Sequence, residues 1–425
     1  MVDFVTLILG LVLGPRVVEV SITEPVVAVE VHLDGKAVAR REAPPWTFPV
    51  DFGEALLPHR LEAVAFDGSG AEVDRALQWI NYGRGSWEAS IALEPSDQAV
   101  GRRGRVVWAT ADRRPPVSID LSFDGRDLPV AADGGFTLPR YDPEEAHHLS
   151  AEVHFERNRS ANAEAIFGGI YGELTSALTA VPIVLDEGAE LPEPEVLSGW
   201  FRVGDGPTKV FSTQTEAPAI LLVRDHHIGQ DLEILKRKRR EKFFAAPGKF
   251  LHRDFRVTYV LTHELPQDPQ GVFRTLWVPD EYYGGGLWNI LEQYHPNVNV
   301  PYPQHLWWSL VVAGERLSDS RRPRAVVLAL SKRPKDHGEL PFEQATRYLD
   351  AVRAPLFVWA PEAETYQRLG IVPGERSFEG PEGMRAMLEA LQLHLSRQWV
   401  VWVEGQHLPS EIHLTDAARG IRFAR

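Results

Sequence analysis

Two hydrophobic rhythms divide this chain. From Val17 to about Ile80, apolar and polar residues alternate in short runs broken by Pro, Gly and Asp, the period-two pattern of half-buried strands. "VAVEVHLDGKAVARREAPPWTFPVDF" reads as strand, Asp34-Gly35 turn, strand, proline-rich corner and strand, and "HRLEAVAFDGSG" adds another strand and turn. The plan then recurs. "VSIDLSFDGRDLPV" carries Asp124-Gly125 where the first copy has Asp34-Gly35, an offset of 124 − 34 = 90, and "HHLSAEVHF" answers "HRLEAVAF" with Leu149 against Leu61, an offset of 149 − 61 = 88. Self-similarity at one spacing predicts tandem Ig-like β-sandwiches, over residues 15–85 and 86–185. Turn chemistry accounts for both Asp-Gly pairs, because Gly takes positive φ without steric cost, so neither receives a functional role.

Beyond the Pro-rich, acidic link "LDEGAELPEPEV", with residues 186–217 assigned to linker and lead-in strands, the rhythm changes. "PAILLVRD" (218–225), "FRVTYVLTH" (255–263), "RAVVLALS" (324–331) and "APLFVWAP" (354–361) are near-continuous apolar runs. Helical patterns such as "DLEILKRKRREKFF", "GLWNILEQY", "PFEQATRYLDAV" and "PEGMRAMLEALQLHLSRQ" lie between or after them. Strands of this kind separated by helices predict a mostly parallel sheet covered on both faces, an α/β doubly wound (Rossmann-like) domain over 218–425. Its last part returns to alternation: Trp399, Val401 and Val403 fall on one face and Val400 and Trp402 on the other, so this strand should be buried on both sides, with a final edge strand near 411–414.

Composition narrows the field. A chain of 425 residues exceeds what one hydrophobic core can fill, and 44% hydrophobic with 24% charged residues is ordinary for a folded globular protein. A formal net charge of −14 argues against a nucleic-acid partner. With no cysteine, disulfides, thiolate zinc sites and thiol catalysis are all excluded. The opening "MVDFVTLILGLVLGPR" leaves two readings of residues 1–14, a signal-like segment without the usual basic start and cleavage site, or a buried first strand. No apolar run reaches the ~20 residues needed to span a bilayer.

The order of parts resembles the bacterial von Willebrand factor type A-related proteins, in which tandem Ig-like sandwiches precede a type A-like α/β domain. The resemblance covers nearly the whole chain. It rests on the ordered series "EAIFGGIYGELTSALTAVPIVL", "AILLVRD", "GGGLWNIL", "RRPRAVVLALS" and "HLSRQWVVWVEG". It implies a metal-ion-dependent adhesion site at the sheet top, where an Asp-x-Ser-x-Ser motif, a Thr and an Asp-Gly hold Mg²⁺ through oxygens. Position by position, Asp225 matches the first carboxylate, while His227 and Gly229 stand where the two Ser hydroxyls belong. Gly285 falls at the Thr position, and Ser331-Lys332 replaces Asp-Gly. Only Asp225 clearly survives, with Ser331 a weak second oxygen and Lys332 bringing a cation. The resemblance therefore implies a degenerate site and no metal cofactor.

The rival chemistries are few. Asp225, His226 and His227 could form a variant metal site only with help from His263 or Asp231, because adjacent residues at a strand end point in different directions. The bland alternative is a loop in which Asp225 or Asp231 caps the next helix. Pro266 interrupts any helix at "THELPQ", and no nucleophile elbow, phosphate loop or dinucleotide fingerprint occurs, so no enzyme is expected. The basic run 236–240 reads as a solvated helix face or as a surface for an acidic partner. Trp307 and Trp308 read as core or, with His226, as partner contacts. The resulting expectation is a non-catalytic protein-interaction or scaffold protein, an assembly subunit of the bacterial cell envelope or a secreted one, with the cytoplasm as alternative. The competing expectation is a metal-dependent adhesion or hydrolytic module built around Asp225.

Overall fold

Alternation becomes antiparallel sheet in the first half of the chain. The computed structural model describes residues 2–6, 8, 11–23, 26–82, 87–93, 101–110, 115–155, 159–169, 178–204, 206–215, 218–225, 228, 256–260, 275–278, 304–318 and 322–425. They fall into two compact units, Met1–Ser86 and Trp87–Arg425.

In the first unit, strands Val2–Phe4, Pro15–Ile22 and Thr47–Asp51 form one sheet. Lys36–Arg41, Ala28–Leu33, His59–Phe66 and Glu72–Ile80 form the other, in that spatial order. The inward set Val18, Val20, Val29, Val31, Phe48, Val50 and Leu61 meets in one core, as facing sheets of a sandwich require. Val2 and Phe4 are buried and pair with Ile22 and Val20, so the opening apolar run starts as strand.

The second unit opens with a sandwich of the same order. Trp87–Leu93, Arg103–Thr110 and Gly135–Thr137 answer the three-stranded sheet. Arg126–Asp127, Ser118–Phe123, His147–Phe155 and Arg159–Phe167 answer the four-stranded one.

Each sandwich contains a fastening that turn chemistry alone does not explain. Asp34 and Asp124 adopt left-handed φ values of 52° and 49°, followed by Gly35 and Gly125 at 76° and 73°, the pair of positive φ values a tight hairpin turn needs. Their carboxylates then reach the next strand. Asp34 Oδ2 lies 2.8 Å from His59 Nδ1 while Oδ1 accepts the Arg60 N–H at 2.8 Å. Asp124 repeats this with His147 Nδ1 at 2.8 Å and His148 N at 2.9 Å. The His147 ring also lies against Phe123 and Tyr141, and its Nε2 faces the Asp142 carbonyl oxygen at 2.7 Å. Both imidazoles are buried, and a buried polar ring needs a partner. Asp therefore serves both as turn former and as clamp.

The boundaries expected at 86–185, 186–217 and 218–425 need correction. Leu178–Leu185 does not belong to the second sandwich: it pairs antiparallel with Gln398–Glu404 and with Ile421–Phe423, while Val210–Gln214 lies beyond Gln398–Glu404. A second small sheet joins Gly206–Pro207, Phe201–Val203 and Ile412–Leu414. Val181, Ile183, Phe201, Val401, Val403 and Ile412 form the core between the two. A third all-β layer pair is thus assembled from both flanks of the α/β part. The physical reason is burial: Val181, Ile183 and Val184 are all covered, and Val400 to Val403 are likewise covered on both faces, so each strand requires neighbours the completed sandwich cannot supply.

Between those flanks sits a six-stranded, mostly parallel sheet. Its order is Thr275–Val278, Arg256–Val260, Ala219–Arg224, Arg324–Ala329, Leu356–Ala360, Ser377–Glu379, all parallel except the first. Ile220, Leu222, Val327, Phe357 and Trp359 pack against Met384, Met387 and Leu391 of helix Gly380–Ser396. On helix Leu306–Ser318, Gly314 admits helix Phe342–Ala351 closely: a Cβ there would stand 2.6 Å from Leu349 Cδ2.

The base of this sheet is tied to the small sandwich by one amide. Gln398 Oε1 accepts the Arg324 N–H, and its Nε2 donates to Arg324 O at 3.1 Å and to His394 Nε2 at 3.2 Å. The Arg324 guanidinium, itself buried, donates to Leu317 O, to Ser318 O at 3.1 Å and to Val352 O at 3.1 Å. It thereby places a cation on the carbonyl ends of two helices, where the backbone dipoles favour it. Burial, then the Arg376 and Arg422 charges, push the His394 ring down to about 3, so it stays neutral and can accept the Gln398 hydrogen bond.

Two expectations follow from these contacts. Asp124→Ala strips the acceptor from the His147 ring and the His148 N–H and should cost about 2–4 kcal/mol in urea unfolding, whereas an unchanged midpoint would contradict the clamp. Because His394 lies below its ordinary value of 6.5, the unfolded chain takes up the proton first, and stability falls as pH drops from 6.5 toward 3. Between pH 7 and 5 this ring should account for about 1–2 kcal/mol, reduced by its partial exposure. His394→Gln should remove that portion, and identical pH dependence in both chains would refute the assignment.

Candidate functional site

Ligands in open α/β sheets bind outside the carboxyl ends of the strands, where the strand order reverses direction. In this sheet the reversal falls between Ala219–Arg224 and Arg324–Ala329, which pair in parallel from Ala219↔Arg324 to Arg224↔Ala329. Just beyond the carboxyl ends of these two strands stand Asp225 and Ser331. The fold therefore brings together two of the positions the sequence singled out, 106 residues apart in the chain.

They bond to each other. Asp225 Oδ2 accepts the Ser331 N–H at 3.1 Å and also the Ser331 hydroxyl, while the Asp225 N–H donates to Ala329 O at 2.9 Å. Asp225 is 0% exposed and Ser331 1%. Ile228, also fully buried, closes a turn by donating to Asp225 O at 3.2 Å. A carboxylate oxygen that takes two hydrogen bonds from a single Ser is a structural acceptor joining neighbouring strands.

That arrangement does not fit Mg²⁺, which wants about six oxygens at ~2.0–2.1 Å. The Ser331 hydroxyl points its proton at Asp225 and is not presented as a second ligand. Lys332 Nζ turns to Glu362 Oε2 at 2.9 Å. Among the described residues no group of three or more His, Asp or Glu side chains is placed to hold a metal. His226, His227, Gly229 and Gly285 lie outside the described residues, as do Asp231, His263 and the basic run 236–240.

The loop after Ser331 is fastened as well. Asp336 Oδ1 accepts the Leu306 N–H at 2.5 Å, capping helix Leu306–Ser318. Gln304 Nε2 donates to Lys335 O at 2.8 Å, and His337 N donates to Gln304 O at 2.8 Å. The partner-contact reading of Trp307 is corrected here: it is buried within that helix, its ring 4.9 Å from Phe342 in an edge-on contact. Trp308 is half-buried, with Gly338 so near that a Cβ there would meet Trp308 Cδ1 at 3.1 Å. No described helix is long and apolar enough to cross a membrane.

No family model matches the chain, and no curated protein matches it. Among solved structures, fibronectin(III)-like modules of Clostridium thermocellum CbhA are 15% identical, covering 19% of this chain and 93% of theirs, with a TM-score of 0.17. The central fibronectin-III array of RIM-binding protein is 12% identical over 47% of this chain and 81% of that one, with a TM-score of 0.23. A bacterial ice-binding adhesin is 11% identical over 46% and 70%, with a TM-score of 0.16. The first two are described as fibronectin type III modules. Likenesses this low carry no argument about function.

Removing the crown acceptor should be costly. Asp225→Ala leaves the Ser331 N–H and hydroxyl buried without their partner and should lower stability by about 2–4 kcal/mol, with Ser331→Ala nearer 1. Chemical denaturation with equal midpoints for wild type and Asp225→Ala would disprove the structural role.

Proposed function

We propose that this chain is a non-catalytic protein-interaction or scaffold protein of the bacterial cell envelope or exterior. Its α/β domain is of the von Willebrand factor type A kind with a lost Mg²⁺ site. The observation that carries the reading is the Asp225–Ser331 pair: the surviving carboxylate of the expected adhesion site accepts two hydrogen bonds from Ser331, inside the fold. Support for the type A-like assignment comes from the doubly wound strand order and from the sequence of modules, two sandwiches ahead of the α/β domain. The cellular setting rests on that module order alone. With no ion to offer an open coordination position, partner binding in this reading rests on ordinary surface complementarity and is indifferent to chelators.

Magnesium provides the test. An ion bound to the folded state at 100 times its Kd would add about 2.7 kcal/mol of stability. Thermal unfolding of the purified chain should instead be unchanged by millimolar Mg²⁺ or EDTA. Stoichiometric bound metal that disappears on changing Asp225 and His227 to Ala would overturn the proposal and favour a metal-dependent adhesion or hydrolytic module.

A further inference from the structure

At the base of the parallel sheet, opposite Asp225, arginines gather in a chain whose formal charge is −14. Arg353 adopts a left-handed φ of 54°, donates to Ile412 O and sets its Cζ 3.2 Å from the Phe423 ring centroid. The Arg425 Cζ lies 5.9 Å from the same ring. Arg202 stands across from His413 in the Phe201–Val203 and Ile412–Leu414 pairing. Arg422 precedes Phe423 on the neighbouring strand, and the Arg376 Cζ lies 5.7 Å from Phe357, whose ring is 5.5 Å from His394. These five residues come from four segments, Arg422 and Arg425 sharing the C-terminal one, and converge because the last strands pair with Leu178–Leu185 and Phe201–Val203.

Their charge is poorly balanced. Arg202, Arg376, Arg422 and Arg425 form no ion pair among the described residues; Asp350 attracts Arg425 and Arg376, and Glu375 attracts Arg376, only at longer range. The field is visible in neighbouring groups. Burial, then Arg202, Arg353 and Arg425, hold the His413 ring below its ordinary range, and burial and Arg422 lower Arg376 itself. Arg422, Arg425 and His413 are exposed, and Arg202 and Arg376 half-buried.

We propose that this arginine rim is a docking surface for an acidic protein segment, a short run of Asp and Glu side chains on a partner. Guanidinium groups match carboxylates in a two-pronged geometry, and Arg is enriched at protein interfaces. The occupant must be short and local. A duplex or a lipid sheet carries charge well past a Debye length of about 8 Å and would meet the acidic remainder of the chain. This surface lies at the other end of the sheet from Asp225, so it stands or falls independently of the metal question.

Fluorescence anisotropy of the full chain with a labelled decaglutamate peptide tests it. Saturable binding at low ionic strength, weakened by salt, is expected, with a loss of about tenfold or more in Arg422→Glu/Arg425→Glu. Both positions are exposed, and an unchanged urea midpoint verifies that this variant folds. Arg105→Glu, on the second sandwich, should bind as wild type. As a local readout, the His413 ring titration followed by NMR should move to higher pH when the peptide is bound. Absence of saturable binding, equal weakening by Arg105→Glu, or an unmoved His413 would overturn the proposal. So would tighter rim-dependent binding to phosphatidylserine vesicles or a single-stranded oligonucleotide.

Discussion

The side-chain amide of Gln398 joins the parallel sheet to the small sandwich built from its flanks. A strand that begins a buried sheet has backbone groups with no neighbour below them, and Gln398 supplies both an acceptor and a donor to Arg324 at that point. Once the Arg324 backbone is fixed, its guanidinium reaches the carbonyl ends of helices Leu306–Ser318 and Phe342–Ala351. One amide thereby holds the start of a central strand, the ends of two helices and the first residue of Gln398–Glu404. Because that strand is the partner of Leu178–Leu185, the same contact joins the α/β part to the small sandwich built from its flanks. Arg353, reaching Ile412 O and Phe423, reinforces the junction from a second side.

The crown of the sheet is fastened by the protein's own groups. Asp225 and Ser331 follow the two strands at the topological reversal, the place where such a fold usually leaves a crevice. A carboxylate in that position is costly to bury unless its oxygens are satisfied, and the Ser331 N–H and hydroxyl satisfy one of them. One carboxylate oxygen thus fastens the two strands to each other at their carboxyl ends. Arg202, Arg353, Arg376, Arg422 and Arg425 gather at the opposite end.

Much of this was legible in the rhythm of the sequence. Period-two alternation marked both sandwiches, apolar runs between helical patterns marked the parallel sheet, and Asp-Gly marked the hairpins. The clamps carried a signal too: "HRLEAVAF" and "HHLSAEVHF" each begin with the His that the upstream Asp holds, although the Asp-Gly turn alone already accounts for the Asp. The partner of Leu178–Leu185 was not legible, because burial on both faces says a strand needs neighbours without saying that they lie more than 200 residues away. Asp225 and Ser331 were recognisable as strand ends, but their mutual bond depends on which strands become adjacent. The arginine rim left no run in the sequence, since its members are spread from Arg202 to Arg425.

Hydrogen exchange by mass spectrometry on the intact chain tests the joint most directly. If Gln398 links the two parts, amides in 324–329 and 398–404 should open together, and Gln398→Leu should lower the protection of both to a similar extent. Exchange of 398–404 at a much lower free energy than 324–329, unaffected by the substitution, would show that the small sandwich and the parallel sheet are held by something else.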